Sequence, residues 1–386
     1  MTKKKFKLST KLARSGLNPK NNFGIPNPPV YHASTILYPN AASRRNRMVP
    51  YEYGRFGTPT SEALSKAISG LYDAEGAVLL PSGLAAAIVS ILAFVNSGDH
   101  ILVTDSVYGS TRQFIKEYLP RIDVKVDFFP PKLAPSKIKG LFKANTKLIY
   151  LESPGSLTFE LQDLKAISQI AKESNIISLT DNTWATAIGQ NCFKFGIDVV
   201  IESFTKYVVG HSDVMMGGII ANAEYLDRIK KQTRIMGQCC GPDDVYLALR
   251  GLRTMELRLN KSFQSSLVIA EWLSKNPYIS KVIHPAREDH PDNVIFQRDY
   301  CLGAGLFSIE LKTKKSNSVD AFIDELNLFG VGASWGGYES LILEAELEDI
   351  RIHETYKDGK ILRLAIGMED PEDLIRDLEN ALKQIS

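Results

Sequence analysis

Four stretches of the chain place chemically capable side chains directly after apolar runs of strand length. After Val199–Ile201 come Glu202-Ser203-Phe204-Thr205-Lys206-Tyr207, with Gly210-His211-Ser212-Asp213 beyond them. A lysine behind a buried strand is desolvated, which lowers its pKa and makes the free amine a nucleophile. After Ile176–Thr180 come Asp181-Asn182-Thr183-Trp184. A carboxylate ending a buried strand is costly unless paired, so Asp181 either meets a cation, metal or protonated ring nitrogen or serves as a local cap. After Leu80 come Pro81-Ser82-Gly83-Leu84, entering a helical stretch. Free N–H groups at a helix start hold a phosphate, and Gly83 permits close approach; the plain alternative is a serine cap with a turn glycine. After Thr104 come Asp105-Ser106-Val107-Tyr108-Gly109, where Tyr108 either stacks on a flat ligand or packs.

Taken together, the four stretches describe one ligand. It carries an anion, a flat ring, a cationic ring nitrogen and an aldehyde that meets a lysine. Pyridoxal 5'-phosphate has all four features.

The sequence also resembles the cystathionine lyase/synthase family of fold-type I pyridoxal-phosphate enzymes, from about Leu12 to the C-terminus. The motifs are Tyr53-Gly54-Arg55 with Gly57-Thr58, Leu151-Glu152-Ser153-Pro154-Gly155-Ser156, Asp181-Asn182-Thr183-Trp184, and Thr205-Lys206-Tyr207 with Gly210-His211-Ser212-Asp213. Arg250-Gly251-Leu252-Arg253-Thr254 and Ser334-Trp335-Gly336-Gly337-Tyr338-Glu339-Ser340-Leu341 complete the set. The resemblance implies that Lys206 holds the cofactor aldehyde, Asp181 pairs with the ring nitrogen and Tyr108 stacks on the ring. It assigns the phosphate to the Gly83 and Leu84 amides and the Ser203 and Thr205 hydroxyls. Tyr53 and Arg55 reach the phosphate of a neighbouring subunit, and Tyr53 also borders the substrate. Arg363, with Ser334 and Trp335 beside it, grips the substrate carboxylate in a bidentate fork. Trp335 and Trp184 match the β-lyase branch rather than the γ-acting synthase, lyase and sulfhydrylase relatives. That branch carries out α,β-elimination of cystathionine to homocysteine, pyruvate and ammonia in methionine biosynthesis. A homo-oligomer follows, a tetramer built from dimers with shared sites. Phe56 stands where some β-lyases carry a second arginine, and Arg112 reads as a solvated helix residue.

The mechanism implies side activities. The carbanion that Lys206 makes at Cα is planar, so a proton delivered by Tyr108 or water to the other face racemises alanine. Weak cleavage of cysteine S-conjugates is the other expected activity.

Positioning these residues requires a fold in which strand ends converge. Ala77–Leu80, Ile101–Thr104, Val124–Phe129, Lys147–Leu151, Ile176–Leu179, Val199–Ile201 and Gly218–Ile220 read as strands. Leu84–Asn96, Thr111–Leu119, Ser136–Phe142 and Asp163–Ser174 read as helices between them. Such alternation predicts an α/β fold, a mainly parallel sheet covered on both faces, with ligands beyond its carboxyl edge. Asp243 to Leu273 reads as one long helical stretch, with a bend site at Gly251, leading to a smaller α+β lobe with strands at Leu306–Leu311, Ser340–Leu343 and Leu362–Ile366. Helices near Ser318–Leu326 and Glu372–Lys383 complete that lobe. The resulting division is 1–56 as a basic arm, 57–252 as the cofactor-binding domain and 253–386 as the C-terminal domain.

Composition bounds the rest. The 386 residues are 44% hydrophobic and 23% charged, which excludes a disordered or fibrous chain. Forty-six basic against forty-four acidic residues leave +2, so charge gives no argument for nucleic acid or a membrane surface. Cys192, Cys239, Cys240 and Cys301 have neither zinc nor disulfide spacing, and a reducing cytoplasm is the expected compartment. His32, His100, His211, His284, His290 and His353 lack metal spacing, so no metal is expected. Before Glu52 the chain has no acidic residue but carries Lys3, Lys4, Lys5, Lys7, Lys11, Arg14, Lys20, Arg44, Arg45 and Arg47. A transit peptide has such a composition; here the first ten residues read as a frayed tail and the rest as an arm. Two other classes remain. Gly332-Ala333-Ser334-Trp335-Gly336 fits the GxSxG of a serine hydrolase with Glu344 and His353, but that elbow needs a following helix where a strand is expected. A cofactor-binding regulator is opposed by the intact Lys206 and Arg363.

Overall fold

The computed structural model describes residues 6–313, 315–347, 351–353 and 359–385. Lys3, Lys4 and Lys5 of the basic run lie outside the described residues. The tail expected over the first ten residues is not free throughout, because Leu8–Ala13 forms helix α1 and Leu12 is buried in the main core. Further along the arm come α2 (Ala41–Arg45) and short 3-10 turns at Pro19–Asn21 and Gly54–Phe56. The arm is tied to the body at a few points. The Thr60 hydroxyl donates to Pro29 O and accepts the Tyr31 N–H, each at 2.9 Å. The Arg253 guanidinium donates to Ser15 O and to Asn27 Oδ1.

Helix α3 (Pro59–Tyr72) starts at a Thr58/Ser61 capping box with proline in its first turn, which satisfies N–H groups that the helix leaves free. The alternation then runs β1 (Gly76–Leu80), α4 (Gly83–Leu92), β2 (His100–Thr104), α5 (Gly109–Glu117), β3 (Lys125–Phe129), α6 (Pro135–Lys139) and β4 (Thr146–Glu152). It continues with α7 (Leu164–Glu173), β5 (Ile177–Asp181), α8 (Thr186–Gly189), β6 (Val199–Glu202), β7 (Gly217–Ala221) and α9 (Ala223–Ile235). The seven strands form one sheet in the order β1-β7-β6-β5-β4-β2-β3. Strands β2 to β6 pair in parallel, while β7 is antiparallel to both of its neighbours. Two apolar layers cover the faces. Leu64 of α3 and Ile167 of α7 pack with Ile149, Val200 and Ile220 on one side. Val89 of α4, Ile115 of α5 and Ile229 of α9 pack with Val103, Leu179 and Ile219 on the other. Burial on both faces is why these strands read as unbroken apolar runs.

The long helix expected over Asp243–Leu273 is two helices, α10 (Pro242–Leu252) and α11 (Met255–Ser274), interrupted at Arg253–Thr254. Gly251 is held by neighbouring backbone: a Cβ there would meet Val209 O at 2.3 Å. Helix α11 joins the two bodies, with Leu259 and Phe263 in the large core and Ile269 and Leu273 in the small one. Beyond it follow β8 (Ile279–Ile283), α12 (Asn293–Asp299), β9 (Leu306–Leu311), α13 (Ser316–Asp324), β10 (Gly330–Val331), β11 (Leu341–Glu344), β12 (Lys360–Ala365) and α14 (Pro371–Leu382). The second sheet has the order β10-β11-β12-β9-β8 and is antiparallel except for β10 with β11. Helices α11, α13 and α14 line it through Ile269, Phe322, Leu374 and Leu378, giving the expected α+β body. Among the described residues, no helix is long and apolar enough to cross a membrane.

Candidate active site

The four stretches all leave the carboxyl edge of the large sheet. Lys206 lies four residues past β6. Its Nζ donates to Ser334 Oγ at 2.8 Å and stands 5.2 Å from the centre of the Trp335 ring. Burial pulls the amine down to about 8, the Arg363 charge pushes it the same way, and Asp181 opposes both. Near neutral pH the amine is still mostly protonated, but its unprotonated, nucleophilic fraction is far larger than that of an ordinary lysine. Gly336 makes the Ser334–Trp335 approach feasible: its φ is +80°, and a Cβ there would lie 3.0 Å from Lys206 Cβ.

Asp181 ends β5. Its Oδ1 accepts the Thr183 N–H at 2.9 Å and the Thr183 hydroxyl at 2.5 Å. Thr183 Oγ1 in turn accepts the Ser203 N–H at 2.8 Å, which ties the carboxylate to the loop carrying Lys206. The surrounding protein raises the Asp181 pKa, chiefly through burial. The remaining oxygen suits the protonated nitrogen of a ring.

The Ser82 side chain caps α4 by accepting the Ala85 N–H at 3.0 Å. The N–H groups of Gly83 and Leu84 lie in the first turn, where a helix supplies no carbonyl for them. A Cβ on Gly83 would stand 2.5 Å from Ser203 Cβ and Oγ, so glycine brings this turn against the serine. The Thr205 hydroxyl faces the same loop but is engaged with Met216, donating to its carbonyl and accepting its N–H. Free Gly83 and Leu84 amides, the adjoining Ser203 hydroxyl, a half-buried carboxylate and a desolvated amine at one sheet edge fit the groups of pyridoxal phosphate.

Tyr108 is the N-cap residue of α5 and its side chain is 49% exposed. Its N–H donates to Glu152 Oε2 at 2.8 Å. Arg363 lies on β12 and is 5% exposed. Its Nη1 donates to Ala333 O at 3.0 Å, and its Nη2 donates to Gly332 O at 2.9 Å and Ser334 O at 3.0 Å. Among the described residues its Nε has no partner, and burial lowers the guanidinium to about 10. Arg363 thus supports the turn that presents Ser334 to Lys206.

Tyr53 and Arg55 make their contacts elsewhere. Tyr53 bridges Thr35, and Arg55 donates to Arg234 O at 2.8 Å. Two guanidiniums approach the Phe56 ring, Arg55 at 4.7 Å and Arg234 at 4.8 Å from its centre.

One sequence reading changes, and two others gain their structural context. Arg112 is not solvated: it is buried, donates to the Asp105 carboxylate and backbone, and lies 4.3 Å from the Phe128 ring. Trp184 is core, its indole N–H donating to Leu306 O at 3.0 Å with Phe296 and Tyr300 edge-on. Ser334 lies between two strands of the small sheet, with no helix after it, so the hydrolase elbow is absent. Sequence reasoning also missed Thr183 and Glu152 as supports. Both lie inside quoted motifs, but only strand pairing reveals their partners.

The chain matches the family described as Cys/Met metabolism PLP-dependent enzyme over residues 9–383, and it belongs to that family; its cofactor is pyridoxal phosphate. Two relatives give the neighbourhood within it. The chain is 38% identical over 391 residues to the cystathionine beta-lyase MetC of Escherichia coli, covering 98% of this chain and 99% of that protein. It is 37% identical to the L-alanine/L-glutamate racemase of Wolbachia pipientis, covering 97% and 96%. Among solved structures, metB from Corynebacterium glutamicum superposes with a TM-score of 0.92 at 28% identity, over 99% of each chain.

Proposed function

We propose that the chain is a carbon–sulfur lyase that cleaves cystathionine to homocysteine, pyruvate and ammonia, a step of methionine biosynthesis in the cytoplasm. The observation that carries this reading is the lowered Lys206 amine held between Ser334 and Trp335, with Asp181 beyond it. When bound, pyridoxal phosphate supplies a sink for the electron pair left at Cα. The chain does the rest. The Gly83 and Leu84 amides with the Ser203 and Thr205 hydroxyls hold the phosphate, Asp181 keeps the ring nitrogen charged, and Tyr108 covers the ring. Arg363 and Ser334 hold the substrate carboxylate, with Trp335 and Tyr53 bordering the substrate. Lys206 takes the Cα proton and delivers a proton to the sulfur as the Cβ–S bond breaks with its electron pair going to sulfur, so homocysteine leaves as the thiol; water then hydrolyses the released three-carbon enamine to pyruvate and ammonia. Tyr53 and Arg55 reach the site of a neighbouring copy, in a tetramer assembled from dimers. Residues 1–56, 57–252 and 253–386 serve as arm, cofactor domain and C-terminal domain. Purified protein given cystathionine should release pyruvate; α-ketobutyrate instead would place it with the γ-acting relatives.

A second reading concerns side activities: weak alanine racemisation, and weak cleavage of other cysteine S-conjugates. The racemisation is supported by the half-exposed Tyr108 and by a relative named as a racemase. Incubation with L-alanine in deuterium oxide tests it. Deuterated D-alanine is expected, and deuterated L-alanine alone would reject it.

A further inference from the structure

Two carboxyl groups stand side by side at the carboxyl edge of the large sheet. Glu152 ends β4, Asp181 ends β5, and their Cα atoms are register partners. Strand alternation turns both side chains to the face that carries Tyr150 and Leu179. Adjacent carboxyls in a shared, partly desolvated place do not both ionise readily. Their surroundings decide which one does. Asp181 receives two donors from Thr183, and the Lys206 charge favours its ionised form. Glu152 receives one neutral donor, the Tyr108 N–H at 2.8 Å. Burial and then Asp181 push Glu152 well above the usual carboxylate range; the Tyr108 N–H, and last Arg351 of the segment between β11 and β12, act weakly against them. Tyr150, two residues earlier on the same strand, brings no positive charge.

The bond to Tyr108 matters because the ring is half exposed, so the backbone sets its position. The Tyr108 carbonyl accepts the Arg112 N–H at 2.9 Å, and Arg112 is locked on Asp105. Glu152 fixes the other end of this short turn.

We propose that Glu152 is a positioning residue for the reaction: as a neutral acid it holds the Tyr108 backbone in place and leaves Asp181 the only anion facing the cofactor ring. This rests on the roles proposed above for Tyr108 and Asp181. A carboxamide keeps both the acceptor and the neutrality, whereas a methyl side chain keeps only the neutrality.

The test uses the holoenzyme and its variants. Readouts are the dissociation constant for pyridoxal phosphate, the midpoint of the pH titration of the bound cofactor's visible band, and kcat and KM. Glu152→Gln should match wild type in affinity and midpoint. Glu152→Ala should loosen the cofactor about tenfold, the scale of one hydrogen bond lost at a partly buried group. It should lower kcat more than it changes KM. In a Tyr108→Ala background, Glu152→Ala should add nothing, because the two act through one turn. A Glu152→Ala protein equal to wild type, an additive double variant, or a shifted midpoint in Glu152→Gln each overturns the proposal. If Glu152→Ala does not fold, the Glu152→Gln midpoint decides alone. Wild-type protein that takes up no pyridoxal phosphate would instead remove the reading of the site on which the proposal rests.

Discussion

The carboxyl edge of the large sheet and the N-terminal arm carry functional residues in opposite ways. At the sheet edge the key groups already have partners from their own chain. Asp181 is held by Thr183, Lys206 by Ser334, the Tyr108 backbone by Glu152, and the Ser334 turn by Arg363. The arm leaves much unmet. Phe23 is 100% exposed, Leu37 85% and Met48 70%, and Arg55 shares the Phe56 ring with Arg234 rather than meeting a carboxylate. Preorganised groups act with little reorganisation, which suits catalysis. Exposed apolar and cationic groups gain most from a second surface, which suits assembly. The contrast supports the proposal that the chemistry belongs to one subunit and that the phosphate grip is completed by another.

The largest effect tests the sheet edge. Lys206→Ala removes the group proposed to carry the proton and should lower kcat about a thousandfold or more, on the scale of a lost acid–base group. Pyruvate release from cystathionine measures it. Activity within tenfold of wild type would mean that another base serves the site.

Arg363→Lys comes next. It keeps the charge but loses the planar fork that now holds three carbonyls and is proposed to hold a carboxylate. The expected loss in kcat/KM is about a hundredfold, since misplacement by an ångström has that scale. Near-normal efficiency would assign the carboxylate to another residue.

Arg55→Ala tests the arm. Cofactor retention should fall about tenfold, the scale of a charge-assisted bond to phosphate. Mixing this variant with Lys206→Ala protein should restore part of the activity once subunits exchange, because hybrid sites take one intact residue from each chain. No restoration after demonstrated exchange would confine Arg55 to its own subunit and end the contrast.

The two regions also differ in how far sequence discloses them. The sheet-edge residues were legible because each follows a strand buried on both faces, and such strands read as apolar runs that end at reactive side chains. Strand β8 was missed because its burial runs buried, exposed, exposed, buried, buried, without strict alternation. The break at Arg253–Thr254 was legible only as a bend near Gly251, because no proline marks a full interruption. Arg112 was misread because its partners are remote. Asp105 precedes it by seven residues, and that carboxylate also accepts the backbone N–H groups of Ile352 and His353. Glu152 was quoted in a motif yet given no role, since its pairing with Asp181 exists only once β4 and β5 lie in register. In the arm, the charge run was legible but its anchoring helix was not. Six residues of α1 have little helical preference until Leu12 is buried.

The smallest expected effect concerns the cost of placing Lys206 where it is. Its amine is lowered from 10.5 to about 8 in the folded chain. Between these values the unfolded chain binds the proton and the folded chain does not, so this group makes stability rise with pH across that window. Below about pH 8 both states are protonated and the full penalty is present. Lys206→Met removes the ionisable group. Stripped of cofactor, the variant should therefore melt above wild type at pH 7, and the gap should close as pH approaches 10.5. The difference is reduced by the water that reaches this half-buried amine and should be about 1 kcal/mol, or roughly 2 °C. Thermal melts of cofactor-free protein at pH 7 and pH 10 measure it. No gain at pH 7, or a gain that persists unchanged at pH 10, would contradict a built-in cost at the sheet edge.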